Sequence, residues 1–204
     1  MFVASLLTLA LATSSVFALP SALPRQTTSL CDPDGPTFGN GGPYTIAAIN
    51  KTDIGSDVPG IRLVFGPPIA TDNKNRRSLS TIDTYSKVEF PTVKLEDGAL
   101  VGLNADGTIG AVDLDVDAGN PTVWAPTNTG AAKVYCGLVG TSPHGGNPVH
   151  PLLALHDDAD SFSLCTASSE FFPEPLDVLV YKAEDNGLYD FASCREVAVQ
   201  LVDA

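Results

Sequence analysis

Cations are scarce in this chain: only 11 of its 204 residues are lysine or arginine, against 24 aspartates and glutamates, for a net charge of −13. A surface of that sign repels phosphate backbones and anionic membranes, so no nucleic-acid partner is expected. The sequence has no C-x2-C pair or other tight cluster of zinc ligands, no G-x-S-x-G nucleophile elbow, and no glycine loop opening a helix. After the first 18 residues no window keeps a 3.6-residue apolar period for three turns, and no apolar run approaches the roughly 20 residues of a membrane span. These absences leave no residue assigned as catalytic, no metal ligand set and no cofactor.

The first 18 residues, MFVASLLTLALATSSVFA, carry no charge, and Val16 and Ala18 place small residues before a cleavage point. Their apolar core is too short to cross a bilayer, and Pro20 follows at once, so residues 1–18 read as a secretory signal peptide. Cleavage leaves 204 − 18 = 186 residues, enough for one domain with a large core. Residues 19–43, rich in Pro, Ser, Thr and Gly, read as an irregular lead-in, and 44–204 as a single β domain. Four cysteines, Cys31, Cys136, Cys165 and Cys194, follow the leader, and an even number in an exported chain points to two disulfides. Asn50-Lys51-Thr52 is an acceptor triplet for N-glycosylation at Asn50 in a chain that enters the secretory route.

From Tyr44 onward eleven short apolar runs alternate with turn residues, beginning with YTIAAI at Tyr44 and IRLVF at Ile61 and ending with DVLVY at Asp177 and EVAVQLV at Glu196. The expected fold is all-β: a single-domain sandwich or barrel of short antiparallel strands with two disulfides, or alternatively a β-trefoil-like arrangement. Three segments share a hairpin plan, starting at Leu100, Leu152 and Val178, with Asp106-Gly107 and Asn186-Gly187 as turns. Cys165 and Cys194 close the second strands of the last two. That makes their pairing the favoured one of three connectivities and leaves Cys31 for Cys136. The segment from Ala70 to Tyr85, with Arg76-Arg77 as a dibasic pair, reads as a polar, solvated loop.

Two clusters invite a chemical reading. Asp113, Asp115 and Asp117 resemble a calcium loop in spacing, but the sixth and twelfth positions hold Ala118 and Trp124 where an EF-hand needs Gly and Glu. Alternation with Val112, Leu114 and Val116 instead describes a strand whose aspartates face water. His144, His150 and His156 recur every six residues in a loop holding Pro148 and Pro151, a spacing that presents no common face to a metal, so they read as solvated. Ser142, near His144, is a weak nucleophile candidate, since triad partners meet in space rather than in sequence.

The stretch DSFSLCTASSEFFPEPLDVLVYKAEDNGLYDFASCREVAV, with the earlier GPYTIAAIN, resembles the plan of small fungal secreted and cell-wall proteins. That group includes the phialide-associated wall proteins and related IgE-binding antigens. Cys165, preceded by Phe162, and Cys194 match the two late cysteines of that plan, while Thr166 departs from the Pro that members often carry after the first. The resemblance implies an exported surface or wall protein with no assigned catalytic residue. The functional expectation is therefore a secreted, non-catalytic extracellular or cell-wall protein, with wall polysaccharide or another secreted protein as partner. A secreted binding module, lectin or protease inhibitor, acting through its loops is the alternative, and a hydrolase using scattered carboxylates ranks below both.

Overall fold

The computed structural model describes Cys31 and residues 37–70, 75–139, 148–169, 171–172 and 174–204. The leader and most of the lead-in lie outside the described residues. Within them the chain forms fourteen strands: β1 (Thr37–Phe38), β2 (Gly41–Asn50), β3 (Ile61–Pro68), β4 (Arg77–Thr81), β5 (Thr92–Glu96), β6 (Ala99–Leu103) and β7 (Ile109–Asp113). They continue as β8 (Asn120–Pro121), β9 (Val123–Pro126), β10 (Tyr135–Leu138), β11 (Leu152–Leu155), β12 (Phe162–Ala167), β13 (Asp177–Tyr181) and β14 (Tyr189–Asp203). A single 3-10 turn, Lys51–Asp53, is the helical element among the described residues.

Nine strands close an antiparallel barrel in the order β14, β2, β5, β6, β7, β9, β4, β13, β12 and back to β14. Strand β3 bridges the circuit, pairing with β2 on one edge and β4 on the other. Closure removes the open edges that an all-β chain must otherwise protect. The first and last long strands, β2 and β14, run side by side from Asn50 opposite Val197 to Tyr44 opposite Asp203, which joins the two ends of the domain.

One main core fills the barrel: Ile46 and Ala48 from β2, Leu63 and Phe65 from β3, Leu79 from β4, and Val197, Val199 and Leu201 from β14 point into it with Trp124 and Phe162. The alternate residues of β2 and β14 are buried as well. Ile49 and Ala198 face a satellite cluster roofed by Leu138, Leu152 and Ala154 of β10 and β11. A second satellite gathers Phe172, Leu176, Val178 and Tyr189. Burial on both faces explains why these strands read as continuous apolar runs rather than clean alternations.

Each disulfide lies in a different satellite. Cys31–Cys136 holds the lead-in to β10 in the first, and Cys165–Cys194 ties β12 to β14 in the second. The main core contains neither: the first staple joins the lead-in to β10 outside the nine-strand circuit, and the second cross-links two neighbouring strands within it. The register of β12 on β14 shifts between Leu164 and Thr166, whose partners are Arg195 and Asp190. Residues Phe191 to Cys194 form the bulge this shift leaves, and the second disulfide pins it.

Several sequence expectations need correction. Of the three hairpins, only β6 and β7 form one, around Gly107 with φ 82°. Strand β11 pairs with β10 and β14 rather than with β12, and β12 inserts between β13 and β14. A turn signal fixes a reversal, whereas which strands meet is decided by the barrel. The loop expected from Ala70 to Tyr85 contains β4, with Ser78, Leu79, Ser80 and Thr81 buried. Its serines are small enough for close approach to β3, where a Cβ on Gly66 would sit 2.7 Å from Ser80 Oγ. Arg77 is not a solvated dibasic residue: its guanidinium donates to the Gly66 carbonyl at 3.0 Å and meets Glu89 at 2.8 Å. The lead-in expected to residue 43 overlaps β1 and the first residues of β2, because β1 pairs with β10 beside the first disulfide.

Candidate functional site

Strand β7 ends at Asp113, and its aspartate faces inward rather than toward water as the alternation implies. Val112 is 8% exposed and Asp113 0%, so both faces of the strand end are covered. Among the described residues no hydrogen bond of ordinary geometry reaches either carboxylate oxygen. Burial pushes the Asp113 pKa up to about 6, opposed only in part by nearby backbone N–H groups of Asp113 itself, Leu100, Lys133 and Ala132. Tyr135, on β10, shares this interior. Its hydroxyl is also buried and without a partner among the described residues, and its pKa is driven well above the usual value by burial and then by the charges of Asp113 and Asp115. Trp124 stacks on Tyr135 with ring centroids 6.0 Å apart and donates its Nε1–H to the Leu100 carbonyl at 2.8 Å.

Asp115 lies beyond the strand end and is exposed, and His156 Nε2 meets its Oδ1 at 2.9 Å. His156 and Asp157 form a two-residue turn, with φ 50° and 62°, closed by reciprocal bonds between Leu155 and Asp158 at 3.0 Å. Such a turn needs left-handed backbone at both positions, which glycine or asparagine usually supplies. The cleft beside it, about 510 Å³, also borders Asp97 at φ 50° and Lys133 at φ 59°. Non-glycine residues held in this region gather where surrounding structure over-determines them, often at binding surfaces. The sequence signalled none of these backbone positions, since no glycine marks them apart from Gly98 after Asp97.

The structure thus joins Asp115 to His156 and separates the rest. His150 is partly buried, with Nε2 enclosed and unpartnered among the described residues, unlike the solvated loop residue expected from the sequence, whereas His156 is exposed in its turn and meets Asp115. His144 and Ser142 lie outside the described residues. No group of three or more His, Cys, Asp or Glu side chains converges to hold a metal among the described residues. Asp113 is sealed from solvent, so it reaches no substrate while the barrel is closed. Its carboxyl is enclosed in the barrel rather than aimed at a cleft.

Asn50 terminates β2 and is exposed. Its Oδ1 accepts from the Thr52 N–H and the Thr52 hydroxyl, both at 3.2 Å, capping the 3-10 turn. Lys51 anchors that turn through Glu196 at 2.9 Å and Asp160 at 3.1 Å. Partial burial disfavours the Lys51 ammonium, but hydrogen bonds to those two carboxylates outweigh it and hold its pKa above the usual lysine value. A groove of about 840 Å³ opens beside Asn50, between the turn and the returning chain at Val58 to Ile61. Gly60 is required there, because a Cβ would collide with the Ala48 carbonyl oxygen. Its N–H instead donates to Gln200 Oε1 at 3.1 Å.

No protein-family model, curated protein or solved structure matches this chain.

Proposed function

We propose that the chain works outside the cell as a non-catalytic wall or matrix protein, carrying a glycan at Asn50 and contacting polysaccharide or another secreted protein through its surface. The observation that carries this reading is the pairing of all the described cysteines in two disulfides, one holding the lead-in to β10 and the other joining β12 to β14. Such bonds persist in oxidising compartments and are rare where thiols are kept reduced. The uncharged leader of residues 1–18 and the resemblance to small fungal wall proteins point the same way. Asn50 is exposed at a strand end, which supports a glycan there by leaving room for one.

A binding module is the second reading, favoured by the left-handed residues Asp97, Lys133, His156 and Asp157 that border one cleft. Fractionating a culture that makes the protein separates the two. Retention by extensively washed wall, with release on wall digestion, is the expected result. Quantitative recovery from the medium would favour a diffusing binding module, and recovery from the cytosol would refute export.

A further inference from the structure

We propose that the groove beside Asn50 is the seat of that residue's own glycan, holding its first N-acetylglucosamine units against Val58, Pro59 and Ile61. The inference rests on the reading that Asn50 is glycosylated. With Oδ1 engaged by Thr52, the Asn50 amide nitrogen, the atom through which an N-glycan is attached, makes no hydrogen bond among the described residues. Asn50 is itself part of the groove wall, so a sugar attached there begins inside it. Val58 is 72% exposed and Ile61 39%, two of the few large apolar side chains left uncovered among the described residues.

The chemistry of the groove matches that of an N-acetylhexosamine. Such a sugar presents an apolar face of C–H groups and an acetamide methyl, and a rim of hydroxyls and an amide. The groove presents Val58, Pro59 and Ile61 along one side and Asp53, Arg195 and Glu196 as polar neighbours. A short covalent tether sets an effective concentration in the millimolar range, so contacts too weak to hold free sugar suffice for an attached one. The covered surface belongs to the returning chain, whose Ile61 pairs with Ala48 of β2. The glycan would thereby clamp the β2–β3 junction.

The test uses full-length protein secreted from a glycosylating host. Peptide mass mapping first reports Asn50 occupancy; an unmodified Asn50 would refute both the glycosylation reading and the inference that rests on it. On occupied protein, thermal midpoints are compared in a cycle of wild type, Asn50→Gln, Val58→Ser and the double variant, which cancels the loss of the Asn50 cap. Val58 is exposed enough for serine to leave the fold intact. Loss of the glycan is expected to lower the midpoint by about 2–4 °C more on the wild-type background than on the Val58→Ser background. It should also speed amide exchange at Val58, Gly60 and Ile61. Equal midpoint losses on both backgrounds, with exchange at these amides unchanged, would show an occupied but unseated glycan and overturn the inference.

Discussion

Replacing both Cys31 and Cys136 with alanine is expected to lower the unfolding free energy by about 5 kcal/mol, the largest effect of any change considered. The bond spans a sequence separation of 105, against 29 for Cys165–Cys194. Closing a long loop restricts the unfolded chain more than closing a short one. Chain-entropy reasoning gives about 4.8 kcal/mol for the first bond and about 3.6 for the second. Cys136 is 2% exposed in the cluster beneath β10 and β11, where alanine leaves no stranded polar group. Urea midpoints of the two double-alanine variants under non-reducing conditions check the ordering. An unchanged midpoint for Cys31→Ala with Cys136→Ala, or a smaller loss than for the shorter loop, would contradict the account.

Asp113→Asn is expected to stabilise the protein at neutral pH by about 3 kcal/mol, while changing little near pH 3. The native carboxyl has its pKa raised from 3.8 to about 6 by burial, so the folded protein holds a proton that the unfolded chain has already released. Stability associated with that proton is fully present below pH 3.8 and is lost as pH rises through about 6. At pH 7 the wild type bears a buried carboxylate with no hydrogen-bond partner of ordinary geometry among the described residues. The shift from 3.8 to about 6 corresponds to roughly 3 kcal/mol at about 1.4 kcal/mol per unit. The neutral amide removes this dependence. Denaturation curves at pH 3, 5 and 7 should therefore show wild type falling behind the variant as pH rises; parallel curves, or a variant less stable at pH 7, would remove Asp113 from the account.

Much of the fold is legible in the sequence because burial left its mark in local runs. ALVGL, LLAL and DVLVY coincide with β6, β11 and β13 residue for residue. Strand β4 escapes notice because RSLST has the composition of a loop, and only its neighbours β3, β9 and β13 make it a strand. Pro91 explains why the run from Lys87 yields a strand only from Thr92. Asn186-Gly187 announces a turn, yet it cannot announce that β12 lies between the strands on either side.

The candidate sites divide in the same way. Cysteine count, together with positions at strand ends, leads to the pairing the structure holds, although the hairpins used to argue it do not form. Alternation around Asp113 tells which residues share a face and not which face is covered. Tyr135 and Leu100, distant in sequence, decide that. The contact of His156 with Asp115 depends on a turn with two left-handed residues and leaves no pattern in the chain.

Export to an oxidising, glycosylating compartment is the claim on which the functional reading depends. Intact-mass and peptide mapping of the protein recovered from outside its native cells test it most directly. The expected product begins near Leu19, contains both disulfides and no free thiol, and carries a glycan mass on the peptide containing Asn50. A product found only within cells, retaining Met1 and the leader, with reduced cysteines and an unmodified Asn50, would contradict it.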